Sequence, residues 1–178
     1  MDCAKEKVLA KDFMQHYNTE HEDEQPSADH EDGKNKFSIE YDNMANFDYK
    51  DYSFWPTKLK ATNGSVFFQV DRIMDKIMHF WVYFLGSAEE ADNYAYTIFI
   101  TGKSKEEFTY FGPVIPLDEN FMDIIQSHKS FGIGVEAIKR LVDSGLINIE
   151  VTIHNLKEDD ENDDAESGVS EGFEINPE

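Results

Sequence analysis

Cysteine is nearly absent: Cys3 is the single one among 178 residues. A lone thiol excludes an internal disulfide framework and fits a reducing compartment, so cytosol or nucleus is the expected location. Bases are scarce as well, 16 Lys and Arg against 37 Asp and Glu, for a formal net charge of −21 at pH 7. Such a chain repels nucleic-acid phosphates and anionic membrane surfaces, so neither is an expected partner. Long apolar runs are missing: "FWVYFLG" is the longest and falls far short of the roughly 20 residues that span a bilayer. The start, "MDCAKEKVLAKDF", lacks the apolar centre of a secretory signal. No P-loop and no Gly-x-Ser-x-Gly occurs, and "FGIGVEAI" at 131–138 spells only G-x-G without opening a βαβ unit, so it reads as a turn into a helix. The acid pairs Glu89-Glu90 and Glu106-Glu107 read as solvent-facing turn residues, because catalytic carboxylates need perturbing burial. His79, His128 and His154 are scattered along the chain without paired ligands.

What the chain does have is aromatic side chains, 14 Phe, 8 Tyr and 2 Trp within a hydrophobic content of 40%, enough to bury a core. The charge is unevenly spread. Residues 37–156 hold 17 acids and 10 bases, whereas Glu20–Asp32 has seven acids with no base and Lys157–Glu178 has ten acids with one Lys. Runs of like charge cannot bury enough apolar surface to offset the entropy of ordering. The expected organisation is therefore a helical segment over 1–22, an acidic linker over 23–36, a folded unit over 37–156 and a disordered acidic tail over 157–178.

Within the folded unit, short strands follow one another between turn signals. "KFSIEYD" sets Phe37, Ile39 and Tyr41 on one face at period 2. "DYSFWPTKLKAT" is extended, with Pro56 favouring an edge or a strand start. Asn63-Gly64 marks a hairpin, and "SVFFQVDRIM" follows with Val66, Phe68 and Val70 on one side. "IMHFWVYFLGS", "NYAYTIFITG" and "EEFTYFGPV" continue the series. Val135, Ile138, Leu141 and Val142 then suit a short helix ended by Gly145, and "LINIEVTIHNL" closes with Ile147, Ile149, Val151 and Ile153 inward. This succession, without regular βαβ alternation, predicts a mainly β protein: an antiparallel β-sandwich of about seven to eight strands with one or two short helices.

One constellation has metal-ligand character. Val8, Leu9, Phe13 and Tyr17 fall at helical spacing near the start, and on or just after that helix Cys3, His16 and His21 read C-x12-H-x4-H. That is the second half of a Cys2His2 zinc pattern, and structural Zn²⁺ sites want four such ligands. Two readings stand: an ordinary amphipathic helix that happens to carry two histidines, or a truncated finger whose three ligands would hold Zn²⁺ weakly without organising a fold.

From "SAEEADNYAYTIFITGKSKEEFTYFGPVIP" (87–116) and "FGIGVEAIKRLVDSGLINIEVTI" (131–153), the chain resembles the C-terminal substrate-binding domain of the seven in absentia (Sina/Siah) ubiquitin ligases. The likeness rests on Asn93-Tyr94-Ala95-Tyr96, the Gly102-Lys103 turn, the Pro-containing loop and the Ile147–Ile153 strand; it is good over about 66–153 and weak over 37–65. It implies a TRAF-like sandwich, commonly a homodimer, following a RING and zinc-finger modules. It further implies recognition of short extended peptides of target proteins, often containing Val-x-Pro, by strand addition at a sheet edge. The residues implied for that site are Phe37, Ile39 and Tyr41 with Trp55, Thr57 and Leu59. In the family an Asp precedes the Trp; here Phe54 precedes Trp55 and Pro56 follows it. Trp55 has a second reading as a plain core residue. A RING needs many Cys and His ligands, so with one Cys this chain is expected to be a recognition module within such a ligase system and not to transfer ubiquitin alone. The alternative is a TRAF-like dimerising adaptor or decoy.

Overall fold

The computed structural model describes residues 10–20, 28–30, 35–41, 44, 56–102, 106–142 and 145–157. In chain order these form α1 (Ala10–Glu20), β1 (Ala28–His30), β2 (Lys36–Tyr41), β3 (Thr57–Lys60), β4 (Val66–Met74) and β5 (Ile77–Phe84). Then follow α2 (Ala88–Ala91), β6 (Tyr94–Thr101), β7 (Glu107–Pro113), β8 (Ile115–Pro116), α3 (Phe121–Gln126), β9 (Phe131–Gly134), α4 (Val135–Leu141) and β10 (Ile147–Asn155). The acidic tail beyond Lys157 lies outside the described residues.

Period-2 alternation builds the first sheet, which runs β1-β2-β10-β6-β7 with every pairing antiparallel. Ile149 of β10 stands between Ile39 of β2 and Ile100 of β6 in register, and all three are fully buried. One position along, Asn148 and Glu40 turn to the opposite face and are exposed. Opposed faces of this kind force one layer of side chains inward and leave the other wet.

The second sheet runs β3-β4-β5-β8, with β9 also paired to β5. Thr57, Leu59, Phe67, Gln69, Asp71, Ile73, Met78, Phe80, Val82 and Phe84 form its inner face. Against them pack Phe37, Ile39, Tyr41, Tyr96, Ile98, Ile100, Ile147, Ile149, Val151 and Ile153, giving one continuous apolar core between the layers. The protein is thus a mainly β, two-layered sandwich; the β5–β8 pairing is its one parallel contact among the described residues.

Unlike the first sheet, this one is covered on both faces. Trp81 on the outer side of β5 is buried with Ile115 and Ile124, under α3. Phe68, outward on β4, meets Phe13 and Tyr17 of α1 edge-on at ring separations of 5.0 and 5.1 Å. Burial from both sides explains the near-continuous apolar run of β5.

The turns are local in origin. β4 and β5 are joined by Asp75 and Lys76 at φ 52° and 64°, the pair of left-handed residues that a two-residue type I′ hairpin requires. At the expected Asn63-Gly64 turn, Gly64 has φ +88° and Asn63 Oδ1 accepts from the Ser65 N–H at 3.0 Å; the connection spans Ala61 to Ser65. The last helix ends at Leu141, earlier than Gly145, because Val142 already has the extended ψ of 120°. Two further short helices, α2 and α3, start with side-chain caps from Ser87 and Asn120.

Candidate functional site

The residues named for peptide binding fall into two groups. Phe37, Ile39 and Tyr41 on β2 and Thr57 and Leu59 on β3 are all buried in the sandwich interior, none more than 4% exposed. Their side chains knit the two layers together and line no surface. Trp55 lies outside the described residues. The period-2 pattern groups Phe37, Ile39 and Tyr41 on one face of β2, but that face is turned to the opposite sheet, where Thr57 and Leu59 of β3 meet it.

Nor is β2 a margin. It pairs with β10 on one side and with β1 on the other, through Ala28↔Ile39, Asp29↔Ser38 and His30↔Phe37. Residues 28–30, read from sequence as acidic linker, supply that added strand. Among the described residues, β1 pairs only with β2 and β3 pairs only with β4. The free margins at this side of the sandwich therefore belong to β1 and β3, which approach one another across the two layers. Among the described residues, backbone N–H and C=O groups on the outer edge of β3 have no strand partner, the template that an incoming extended segment pairs with. Asn35 ties the margin together: its Oδ1 accepts from the Thr62 backbone N–H at 2.9 Å, just after β3, and its carbonyl accepts from Ile153 N–H at 2.8 Å. Along β3, Lys60 is exposed and Lys58 reaches over the Tyr17 ring at 5.7 Å.

Behind this margin lies a buried polar cluster that sequence reading did not single out. Tyr41 Oη is 2.8 Å from Gln69 Oε1 and 2.7 Å from Asp71 Oδ1. Gln69 Nε2 reaches Asp71 Oδ1 at 3.4 Å. Asp71 and Gln69 have no solvent exposure; among the described residues Asp71 Oδ2 has no hydrogen-bond partner, and the Thr57 hydroxyl lies beside Tyr41. Burial pushes the Asp71 carboxyl up from 3.8 to about 7, against the smaller opposing effect of its hydrogen bonds from Tyr41 and Gln69. Burial, and then the nearby Asp71, raise the Tyr41 hydroxyl well above its ordinary value. The signal in the sequence was the polar pair Gln69 and Asp71 at alternate positions of a strand whose other residues, Arg72 apart, are apolar.

Of the residues with metal-ligand character, only His16 is described; it sits half-buried on α1, while Cys3 and His21 lie outside. Among the described residues no three His, Cys, Asp or Glu side chains gather as a metal site, and no helix is long and apolar enough to cross a membrane. At the opposite margin, β7 ends its sheet with Phe111 largely exposed, its ring 5.6 Å from that of His154.

The fold defines a class: a mainly β, two-layered sandwich in which, among the described residues, β3 ends its sheet. No protein-family model matches the chain, and no curated protein matches it.

Proposed function

We propose that this protein is a peptide-recognition module of a seven-in-absentia-type ubiquitin ligase system, with ubiquitin transfer supplied by a RING carried elsewhere. Short extended segments of target proteins would add as a strand at the margin formed by β1 and β3. The observation that carries this reading is that, among the described residues, β3 ends its sheet beside a strand, β1, that itself joins its sheet as a three-residue extended segment. This side of the sandwich already takes up a short extended backbone by main-chain pairing. Main-chain pairing supplies affinity in such recognition, and side-chain pockets supply choice among sequences. Trp55, one residue before Pro56 and the start of β3, is the aromatic placed by sequence to contact the added strand.

The test is calorimetric titration of the full chain with a Val-x-Pro peptide and with the same peptide N-methylated at alternate amides. Binding by the first, loss with the second, and at least about a tenfold weakening in Trp55→Ala, roughly 1.4 kcal/mol, are expected. Absence of binding, or equal binding by the N-methylated peptide, removes strand addition as the mode.

A further inference from the structure

The polar cluster inside the sandwich poses a problem of hydrogen counting. Tyr41 has one hydroxyl hydrogen, yet its oxygen lies within hydrogen-bond distance of two acceptors, Gln69 Oε1 at 2.8 Å and Asp71 Oδ1 at 2.7 Å. Three oxygens linked by two short contacts require two hydrogens. An ionised Asp71 brings none. A protonated Asp71 brings the missing one: its O–H donates to Tyr41 Oη, and the Tyr41 hydroxyl donates to Gln69 Oε1. The amide of Gln69 then offers Nε2 to Asp71 at 3.4 Å, and the unpartnered Oδ2 is a neutral carbonyl oxygen instead of a buried anion.

If Asp71 ionises, the relay has to reverse. The Gln69 amide turns over so that its N–H donates to Tyr41, and Tyr41 donates to the carboxylate. That leaves Gln69 Oε1 against a carboxylate oxygen where Nε2 now stands, and leaves a fully buried charge with one donor. Among the described residues the other hydroxyl at hand is that of Thr57, which acts on Tyr41 and leaves Asp71 Oδ2 without a donor. Tyr41 comes from β2, Gln69 from β4, and Thr57 of β3 stands in register with Gln69. Phe80 and Val82 of β5 flank Asp71 and Gln69 in register. The nearest cations along the chain face the other way: Arg72 lies over the Phe121 ring at 3.9 Å and Lys58 over Tyr17. Among the described residues, no cationic group acts on Asp71.

We propose that Tyr41, Gln69 and Asp71 form a proton-operated clasp between the two sheets, closed while the Asp71 carboxyl carries a hydrogen and loosened when it loses it. The clasp joins β2 of one layer to β4 of the other, one strand in from the β3 margin. Ionisation therefore weakens the inter-sheet contact that holds this side of the sandwich shut. Burial brings the exchange to about 7, within the range that cells traverse.

The sign follows from proton linkage. Between about pH 4 and pH 7 the unfolded chain has released the Asp71 proton while the folded chain retains it, so stability falls as pH rises and levels off above. The experiment is urea unfolding of the full chain from pH 5 to 8.5, wild type beside Asp71→Asn. The chain's other carboxylates titrate in both proteins and cancel in the difference. The folding constant of the wild type relative to Asp71→Asn is expected to fall about tenfold per pH unit up to about pH 7 and then flatten. A second measurement, the Asp71 carboxyl ¹³C resonance of the folded wild type, needs no variant and is expected to titrate near neutrality. Amide exchange in β3 should quicken across the same midpoint. A carboxyl that titrates near its ordinary 3.8, or a flat difference between the two proteins, overturns the proposal.

Discussion

Phe67 and Phe68 are neighbours on β4, both with no solvent exposure, yet they serve different structures, and truncating each separates the two. Phe67 faces the core between the sheets, 5.2 Å from the Phe84 ring and 5.1 Å from Tyr94. Phe68 faces out and is covered by Phe13 and Tyr17 of α1. Phe67→Ala opens a cavity in a closed interior, so the whole domain should lose about 3–5 kcal/mol. Phe68→Ala removes two edge-on ring pairs, each worth about 0.5–1.5 kcal/mol, and the apolar surface beneath them, about 1.5–3 kcal/mol. That loss falls on α1, an 11-residue helix too short to persist unsupported, since isolated helices below about 12–15 residues are marginal in water. Once α1 lifts, water fills the site and no closed cavity remains. Peptide-resolved hydrogen exchange reads both outcomes. In Phe68→Ala the amides of α1 should exchange freely while those of β6 and β10 keep their protection; in Phe67→Ala all should be lost together as the domain unfolds at lower urea. Retained protection in α1 after Phe68→Ala, or equal loss in β10 from both variants, refutes the assignment of α1 to this face.

Two smaller perturbations test local features. Asn120 caps α3 by accepting from the Met122 N–H at 2.8 Å, so Asn120→Ala should cost about 1 kcal/mol in urea unfolding. Gly64 sits at φ +88° with open space where a Cβ would go, so Gly64→Ala should cost about 1–2 kcal/mol from backbone strain alone, and Gly64→Asn less.

How far the sequence reveals this fold depends on which sheet is considered. β10 and β6 face the core on one side and solvent on the other, so Ile147, Ile149, Val151 and Ile153 can be assigned inward from their spacing alone. β4 is covered on both sides, and its apolar residues occur at odd and even positions alike. Spacing groups Val66, Phe68 and Val70, but nothing in it says that the other phase, Phe67, Gln69, Asp71 and Ile73, faces the core. The candidate site suffered in the same way. Alternation identified Phe37, Ile39 and Tyr41 as sharing a face, whereas which strand ends a sheet is a property of pairing between distant segments. β1 pairs with β2 although it lies within a run of acids, where composition argued for linker.

That β3 ends its sheet among the described residues needs a physical account, because an unpaired edge invites pairing with a second copy. Three features oppose that outcome. The strand is four residues long, so a homotypic pairing gains few hydrogen bonds. It carries Lys58 and Lys60, charges of the kind that blunt natural edges. Each copy also bears a net charge of −21, and bodies with that charge repel at distances up to the screening length, about 8 Å at physiological salt. A short extended peptide escapes the last penalty, since it brings little charge and no second acidic body. The same acidic composition thus opposes pairing of this margin with a second copy, and opposes a small neutral or basic segment less. Raising the ionic strength screens the repulsion between copies far more than it would affect main-chain pairing to an uncharged peptide, so on the proposed function peptide affinity should hold in high salt while any self-association rises.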